Sequence, residues 1–345
     1  MGRRRFVVRT VVVVALFGGW IAANVVPLDF AEVRPGDPIE VGPRLSIATA
    51  HDHPAKGRVL FLTVRIRRRL SAVEAVTGWL QGPVDVFTEK TLFGDESPVE
   101  SRQRGQVEID DAKTLATVVA FRRLGLPLVA RGTRIVDIAP DAPAALVLRP
   151  GDVITAVDGH PICIAGDVSE ALRTHRADDI VTLKLSTGRL VPVALVGDPE
   201  GGRAVLGLHL TTVSCRPAFR VDVETGGLLG PSGGLAMTLS ILDRLSAGEL
   251  LGPGAVAVTG TIEADGSVGP IGGIKQKTIA ARRAGAKLFL VPTEELNEAR
   301  RHAGRLPVVG VHRLEDALLA LVQHDGTPLP AEPAAPAVNQ TERSA

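Results

Sequence analysis

Apolar and polar positions change their spacing several times along the chain, and each change marks a different kind of element. From Thr10 to Leu28 no residue carries a formal charge, and the run Val11-Val12-Val13-Val14-Ala15-Leu16-Phe17 continues through Trp20 and Ile21 to Val26. That is close to the roughly 20 apolar residues that cross a bilayer, so 10–28 is expected to be a transmembrane helix. Arg3, Arg4, Arg5 and Arg9 precede it, while Asp29, Glu32 and Asp37 follow. Basic residues stay on the cytoplasmic side. This predicts a single pass through the plasma membrane, with 1–9 cytoplasmic, the bulk extracytoplasmic and the lipid bilayer as a partner. A cleaved signal peptide is the competing reading, and Ala22-Ala23-Asn24 supplies small residues for it without a clean A-x-A site.

Beyond this run, Pro35-Gly36-Asp37-Pro38 and Gly42-Pro43 mark an irregular linker. Positions 59–66 read as a strand, 70–80 as a helix ending before Gly82-Pro83, and 110–124 as a second helix. Together they predict a small α/β region over 29–123. From 124 to 200 the pattern turns to short strands between turns: 133–138, 153–157, 181–185 and 190–195, with one helix over 167–175. From 212 to 323 strands and helices alternate. Strands are predicted over 219–223, 255–262 and 288–291, and helices over 233–245, 275–284 and 314–322. The tail 326–345 is rich in Pro and Ala and is expected to be disordered. The fold class expected is an α+β multidomain chain.

Composition narrows the function classes. With 45% hydrophobic and 22% charged residues in 345, the chain has the make-up of a folded protein. Its 39 basic and 38 acidic residues leave a net charge of +1, so no overall field draws it to nucleic acid. Cys163 and Cys215 form neither a C-x-x-C pair nor a zinc spacing. Two unpaired buried thiols are expected, with a single disulfide as the alternative if the domain is exported. His51-Asp52-His53 lacks a third ligand in view and reads as loop surface, so no metal is expected. Arg67-Arg68-Arg69 reads as a solvated strand end rather than a lipid-headgroup patch.

The candidate chemistry begins at Ser232, in Gly226-Gly227-Leu228-Leu229-Gly230-Pro231-Ser232-Gly233-Gly234, directly before the apolar helix starting at Leu235. A serine here serves as an N-cap in ordinary helices. Yet the glycines leave backbone N–H groups uncovered at the positive end of a helix, which is what a developing oxyanion requires. Gly230, Pro231 and Gly233 are the loop residues that would shape it. Gly230-x-Ser232-x-Gly234 also fits a nucleophile elbow, but a loop separates strand from serine, and His302, His312 and His324 are the available downstream histidines. Where no histidine is well placed, a lysine made neutral by burial serves as base. Gly272-Gly273-Ile274-Lys275-Gln276-Lys277 offers two, at a helix start where a cation is disfavoured.

Two resemblances attach to these residues. Ala139-Pro140-Asp141-Ala142-Pro143-Ala144-Ala145, Leu148-Arg149-Pro150-Gly151-Asp152-Val153-Ile154 and Val157-Asp158-Gly159 resemble the punctuation of a PDZ domain over 124–200. This implies a groove for peptide by strand addition, with Leu124, Gly125 and Leu126 where a carboxylate-binding loop would fall. Gly230-Pro231-Ser232-Gly233-Gly234, Thr259-Gly260, Val268-Gly269-Pro270-Ile271-Gly272-Gly273-Ile274-Lys275-Gln276-Lys277 and Ala280-Ala281-Arg282-Arg283-Ala284-Gly285 resemble, in order, the proteolytic domain of Lon proteases. The combination resembles bacterial PDZ-containing, YlbL-type Lon-like membrane-anchored proteases.

The resemblance implies Ser232 as nucleophile, Lys277 as base, Thr259 as the hydroxyl orienting the amine, and Lys275 as a surface or supporting residue. It implies peptide hydrolysis through an acyl-enzyme, protein or peptide substrates, no cofactor and a hexameric homo-oligomer. Many Lon proteases carry an aspartate three residues before the serine; here that position is Leu229. No G-x-x-x-x-G-K-[ST] run occurs in the sequence, so ATP-independent action is expected. A scaffold or adaptor with a weak or inactive site is the alternative that Leu229 keeps open.

Overall fold

The computed structural model describes residues 2–49, 52–198, 202–213, 215–246 and 249–330. His51 and the tail 331–345 lie outside the described residues. Near-continuous apolar runs such as Ala255–Val258 and 288–291 are buried throughout, the pattern of strands covered on both faces of a parallel sheet. They sit at the heart of a five-stranded sheet ordered Ile39–Glu40, Gly57–Phe61, Gly254–Val258, Leu288–Pro292, Val308–Val311. All neighbours are parallel except the first pair. Val256, Val258, Leu288 and Leu290 pack on one face with the helices Gly234–Leu245 and Leu314–Gln323. Ala257, Phe289 and Val291 pack on the other with Ile274–Arg283 and Leu296–Ala303.

The strand Gly57–Phe61 corrects the expectation of a separate α/β region over 29–123. It pairs in parallel register with Gly254–Val258, Phe61 opposite Val258, inside the sheet assigned from sequence to 212–323 alone. The predicted strand 59–66 is two strands, because Val64–Arg67 turns away to join Phe30–Pro35 and Asp85–Thr88 in a second sheet. The strand Phe30–Pro35, with Ala31 and Glu32 buried, leads into the supposed linker, which itself holds the strand Ile39–Glu40.

Two further helix boundaries move for local reasons. The helix expected over 110–124 runs Pro98–Arg123, opened by a capping box between Ser97 and Glu100 with Pro98 in its first turn. The N-terminal helix spans Gly2–Val25. It takes in Arg3, Arg4, Arg5 and Arg9 and stops ahead of Pro27, since the residue before a proline is pushed out of helical geometry. Its charge-free part, 10–25, falls short of the roughly 20 residues a bilayer requires. Among the described residues no helix is long and apolar enough to cross a membrane, and the span expected over 10–28 finds no support there.

The β-rich module has the strand order Leu190–Ala194, Ile180–Leu185, Val153–Val157, Thr133–Ile138, Leu208–Thr212. The helix Ala165–Leu172 buries Val168 and Leu172 on it. The last strand lies past position 200, so the module is longer than expected. The chain enters it along Leu128–Ala130 and leaves along Cys215–Pro217, and these two segments pair with each other as a neck. Cys163 and Cys215 are disulfide-bonded, not the free thiols expected. Folding brings the module helix's start against the exit strand, a juxtaposition that sequence spacing does not carry. Gly326 and Thr327, expected disordered, donate backbone hydrogen bonds to Leu321 and Glu249.

Candidate active site

Ser232 is half-buried in a tight turn between the strand Val221–Val223 and the helix Gly234–Leu245, closed by Gly234 N–H donating to the Pro231 carbonyl at 3.1 Å. The glycines after the serine are there for close approach. A Cβ on Gly233 would stand 2.9 Å from the Phe61 ring, and one on Gly234 2.8 Å from the Ile262 nitrogen. The turn is stapled to the end of the central strand: Gly260 N–H donates to the Ser232 carbonyl at 3.1 Å, and Leu235 N–H to the Gly260 carbonyl at 3.2 Å. Among the described residues the amides of Ser232 and Gly233 have no acceptor, so both face the helix-end field unpaired. The Gly230 amide is not available, because it donates to the Gly105 carbonyl of the long helix at 2.9 Å. Pro231 has no N–H to offer.

Lys277 stands in the first turn of Ile274–Arg283 and is 3% exposed. Burial lowers its pKa to about 7, with the Glu295 carboxylate opposing that shift. Its Nζ donates to Thr259 Oγ1 at 3.2 Å, and the fully buried Thr259 hydroxyl donates in turn to the Ser232 carbonyl at 3.4 Å. Lys275, two residues earlier on the same helix, points to the opposite side. There it pairs with Asp85 at 2.5 Å, and Gln276 donates to the same carboxylate at 2.7 Å.

Ser232, Thr259 and Lys277 are thus brought together from three elements. The Ser232 hydroxyl makes no hydrogen bond among the described residues, and its link to the lysine runs through Thr259. His312 and His302 take part only through backbone atoms: the His312 N–H donates to Asp316, and the His302 carbonyl accepts from Arg282. No triad is assembled among the described residues. Leu229 is 43% exposed and packs toward Gly105.

Leu124, Gly125 and Leu126 prove to be the end of the long helix. Gly125 N–H donates to Arg122 at 2.9 Å and Leu126 N–H to Phe121 at 2.8 Å, with Gly125 at φ +66°. That is a Schellman cap. These N–H groups are committed to helix carbonyls, which leaves none of them free for a peptide carboxylate.

Sequence reasoning missed two participants. Gly105 carried a signal, a glycine inside a helical stretch, which marks a close packing contact. Glu295 carried none.

Residues 223–318 match the Lon protease (S16) C-terminal proteolytic domain, and residues 107–189 match a PDZ domain. A Lon protease of Chloroflexus aurantiacus is 31% identical over 207 residues, 57% of this chain and 23% of that protein. One from Geobacter metallireducens is 34% identical over 125 residues, 34% and 15% of the two chains. One from Malacoplasma penetrans is 44% identical over 79 residues, 22% and 10%. The chain therefore spans at most about a quarter of the length of these relatives. Among solved structures, the PDZ domain of an SdrC-like protein from Listeria monocytogenes is 24% identical, covering 24% of this chain and 90% of that one, with a TM-score of 0.23.

Residues 223–318 thus match a serine-peptidase domain of the Lon class. The chain combines that match with one to a PDZ domain, and the PDZ-like module lies in the sequence between the paired strands Gly57–Phe61 and Gly254–Val258.

Proposed function

We propose that the chain is an ATP-independent serine endopeptidase working through Ser232 and Lys277. The observation that carries this reading is the buried Lys277 amine, with a pKa of about 7, held by Thr259 against the Ser232 turn. Neutral Lys277 takes the Ser232 proton as Oγ attacks the substrate carbonyl, and the unpaired amides of Ser232 and Gly233 receive the oxyanion. Protonated Lys277 returns the proton to the leaving amine. A water then attacks the acyl-enzyme with Lys277 again as base, freeing Ser232.

The substrates are loosely folded polypeptides recruited by the PDZ domain, since peptide capture is the mode such domains use. The Cys163–Cys215 disulfide supports an oxidising, extracytoplasmic location. A hexamer rests on resemblance alone.

The test is cleavage of casein by the purified chain without ATP. Ser232→Ala and Lys277→Ala abolish it, while Lys275→Ala leaves most of it. The second reading, a scaffold with an idle site, is favoured by the missing hydrogen bond between Ser232 and Lys277. It is supported instead if wild type leaves casein intact while still binding peptide.

A further inference from the structure

We propose that Glu295 is a positioning residue of the dyad, holding the loop that leads into the base helix and setting the charge that Lys277 faces. This rests on the Ser232–Lys277 reading of the site. Glu295 closes the short turn Thr293–Glu295 that follows the strand Leu288–Pro292, on the side of the sheet where the base helix packs. One carboxylate oxygen, Oε1, accepts the Ile271 N–H at 2.9 Å. Ile271 belongs to the glycine-rich loop just before Ile274–Arg283, so the bond fixes the approach to Lys277. The other oxygen, Oε2, is shielded from solvent with no hydrogen-bond partner among the described residues.

A shielded, unpartnered carboxylate oxygen is unfavourable unless a cation faces it. The cation acting on it is Lys277, at the start of the helix that this loop leads into, and each group acts electrostatically on the other. The remaining charges do not compete. Glu294 acts on Glu295, Lys275 is engaged by Asp85 on the far side of the helix, and Arg282 and Arg283 lie in the helix's last turn. The arrangement gives Lys277 opposed instructions. Burial favours the neutral amine that can accept the serine proton, and Glu295 stabilises the ammonium formed once it has done so. Leu229 lies against the long helix at Gly105, so the residue just ahead of the nucleophile turn supplies no such charge.

The test is a pH titration of Lys277 in the full chain carrying 13C-labelled lysine, its resonance identified by its loss in Lys277→Ala. Glu295→Gln keeps an acceptor for Ile271 and removes the charge, so the Lys277 midpoint is expected to move to lower pH. The acid limb of casein cleavage moves with it, and E295Q keeps a larger fraction of its maximal rate at pH 6 than wild type. An unchanged midpoint overturns the proposal even if both proteins cleave casein. Absence of casein cleavage counts against the protease reading, and the resonance still decides the role of Glu295. Should E295Q fail to fold, the Glu295 carboxyl resonance of wild type must show an inflection where Lys277 titrates; its absence overturns the proposal equally.

Discussion

Lys277 donates its 3.2 Å hydrogen bond to Thr259 and not to the serine it would activate, so the threonine hydroxyl is the joint between base and nucleophile turn. From Thr259 the contact continues to the Ser232 carbonyl. Thr259→Val keeps the shape and removes the hydroxyl that orients the amine. Its expected signature is a fall in kcat of about tenfold or more, part of the about 10² to 10⁴ that positioned proton transfer contributes, with KM little changed. Steady-state kinetics on a peptide substrate measures it.

The lysine must be neutral to act as base, so cleavage rises with pH through about 7 and is lost below it. A pH–rate profile of kcat/KM that stays flat down to pH 5 would remove Lys277 from the mechanism.

Burying this lysine also destabilises the fold. Its folded pKa of about 7 lies below the ordinary 10.5, so between those values the unfolded chain binds the extra proton. The group's contribution is most favourable above pH 10.5, declines as pH falls, and reaches its full penalty near pH 7. Lys277→Met is therefore expected to abolish cleavage yet raise Tm, more at pH 7 than at pH 10. Calorimetry at the two pH values checks both the sign and the trend.

The long helix braces the nucleophile loop where Gly105 accepts the Gly230 N–H at 2.9 Å. A Cβ at position 105 would stand 2.9 Å from the Leu229 Cβ, backbone-proximal and unable to swing aside. Gly105→Val is expected to cost about 1–3 kcal/mol by overpacking and to lower kcat by shifting the Ser232 turn. Thermal melts and kinetics separate the two effects.

The disulfide closes a loop across a sequence separation of 52 residues that contains the module helix Ala165–Leu172 and the strands Ile180–Leu185, Leu190–Ala194 and Leu208–Thr212. The chain-entropy argument gives a stabilisation of about 4 kcal/mol. Cys163→Ser with Cys215→Ser should lower Tm under oxidising conditions and bring it to that of the reduced wild type. A melt unchanged in the double variant would show that the neck strands alone hold the module.

Sequence periodicity located the module strands 133–138 and 153–157 and the two helices that carry Ser232 and Lys277 closely, because these elements are defined by spacing, caps and glycines within their own span. It failed where the deciding contact is distant. The 59–66 run reads as one strand by propensity, but it divides because Phe61 pairs into the large sheet while Val64 pairs with Pro35 in another. The PDZ resemblance implies a carboxylate-binding loop at Leu124-Gly125-Leu126. It becomes a helix cap because the helix before it is long enough to need its N–H groups.

The sequence by itself determined the serine at a helix start and the lysine pair on the next helix, since each follows from local pattern, while the family resemblance singled out the threonine between them. Tertiary structure decided which lysine is buried, because the turn of the helix sends Lys275 to Asp85 and Lys277 inward. It also decided that a strand before the PDZ module completes the proteolytic sheet, that two distant cysteines meet, and that Glu295 accepts from Ile271 in the loop leading to the base helix. Contacts between residues far apart in sequence depend on how packed layers close over one another, and no local spacing encodes that.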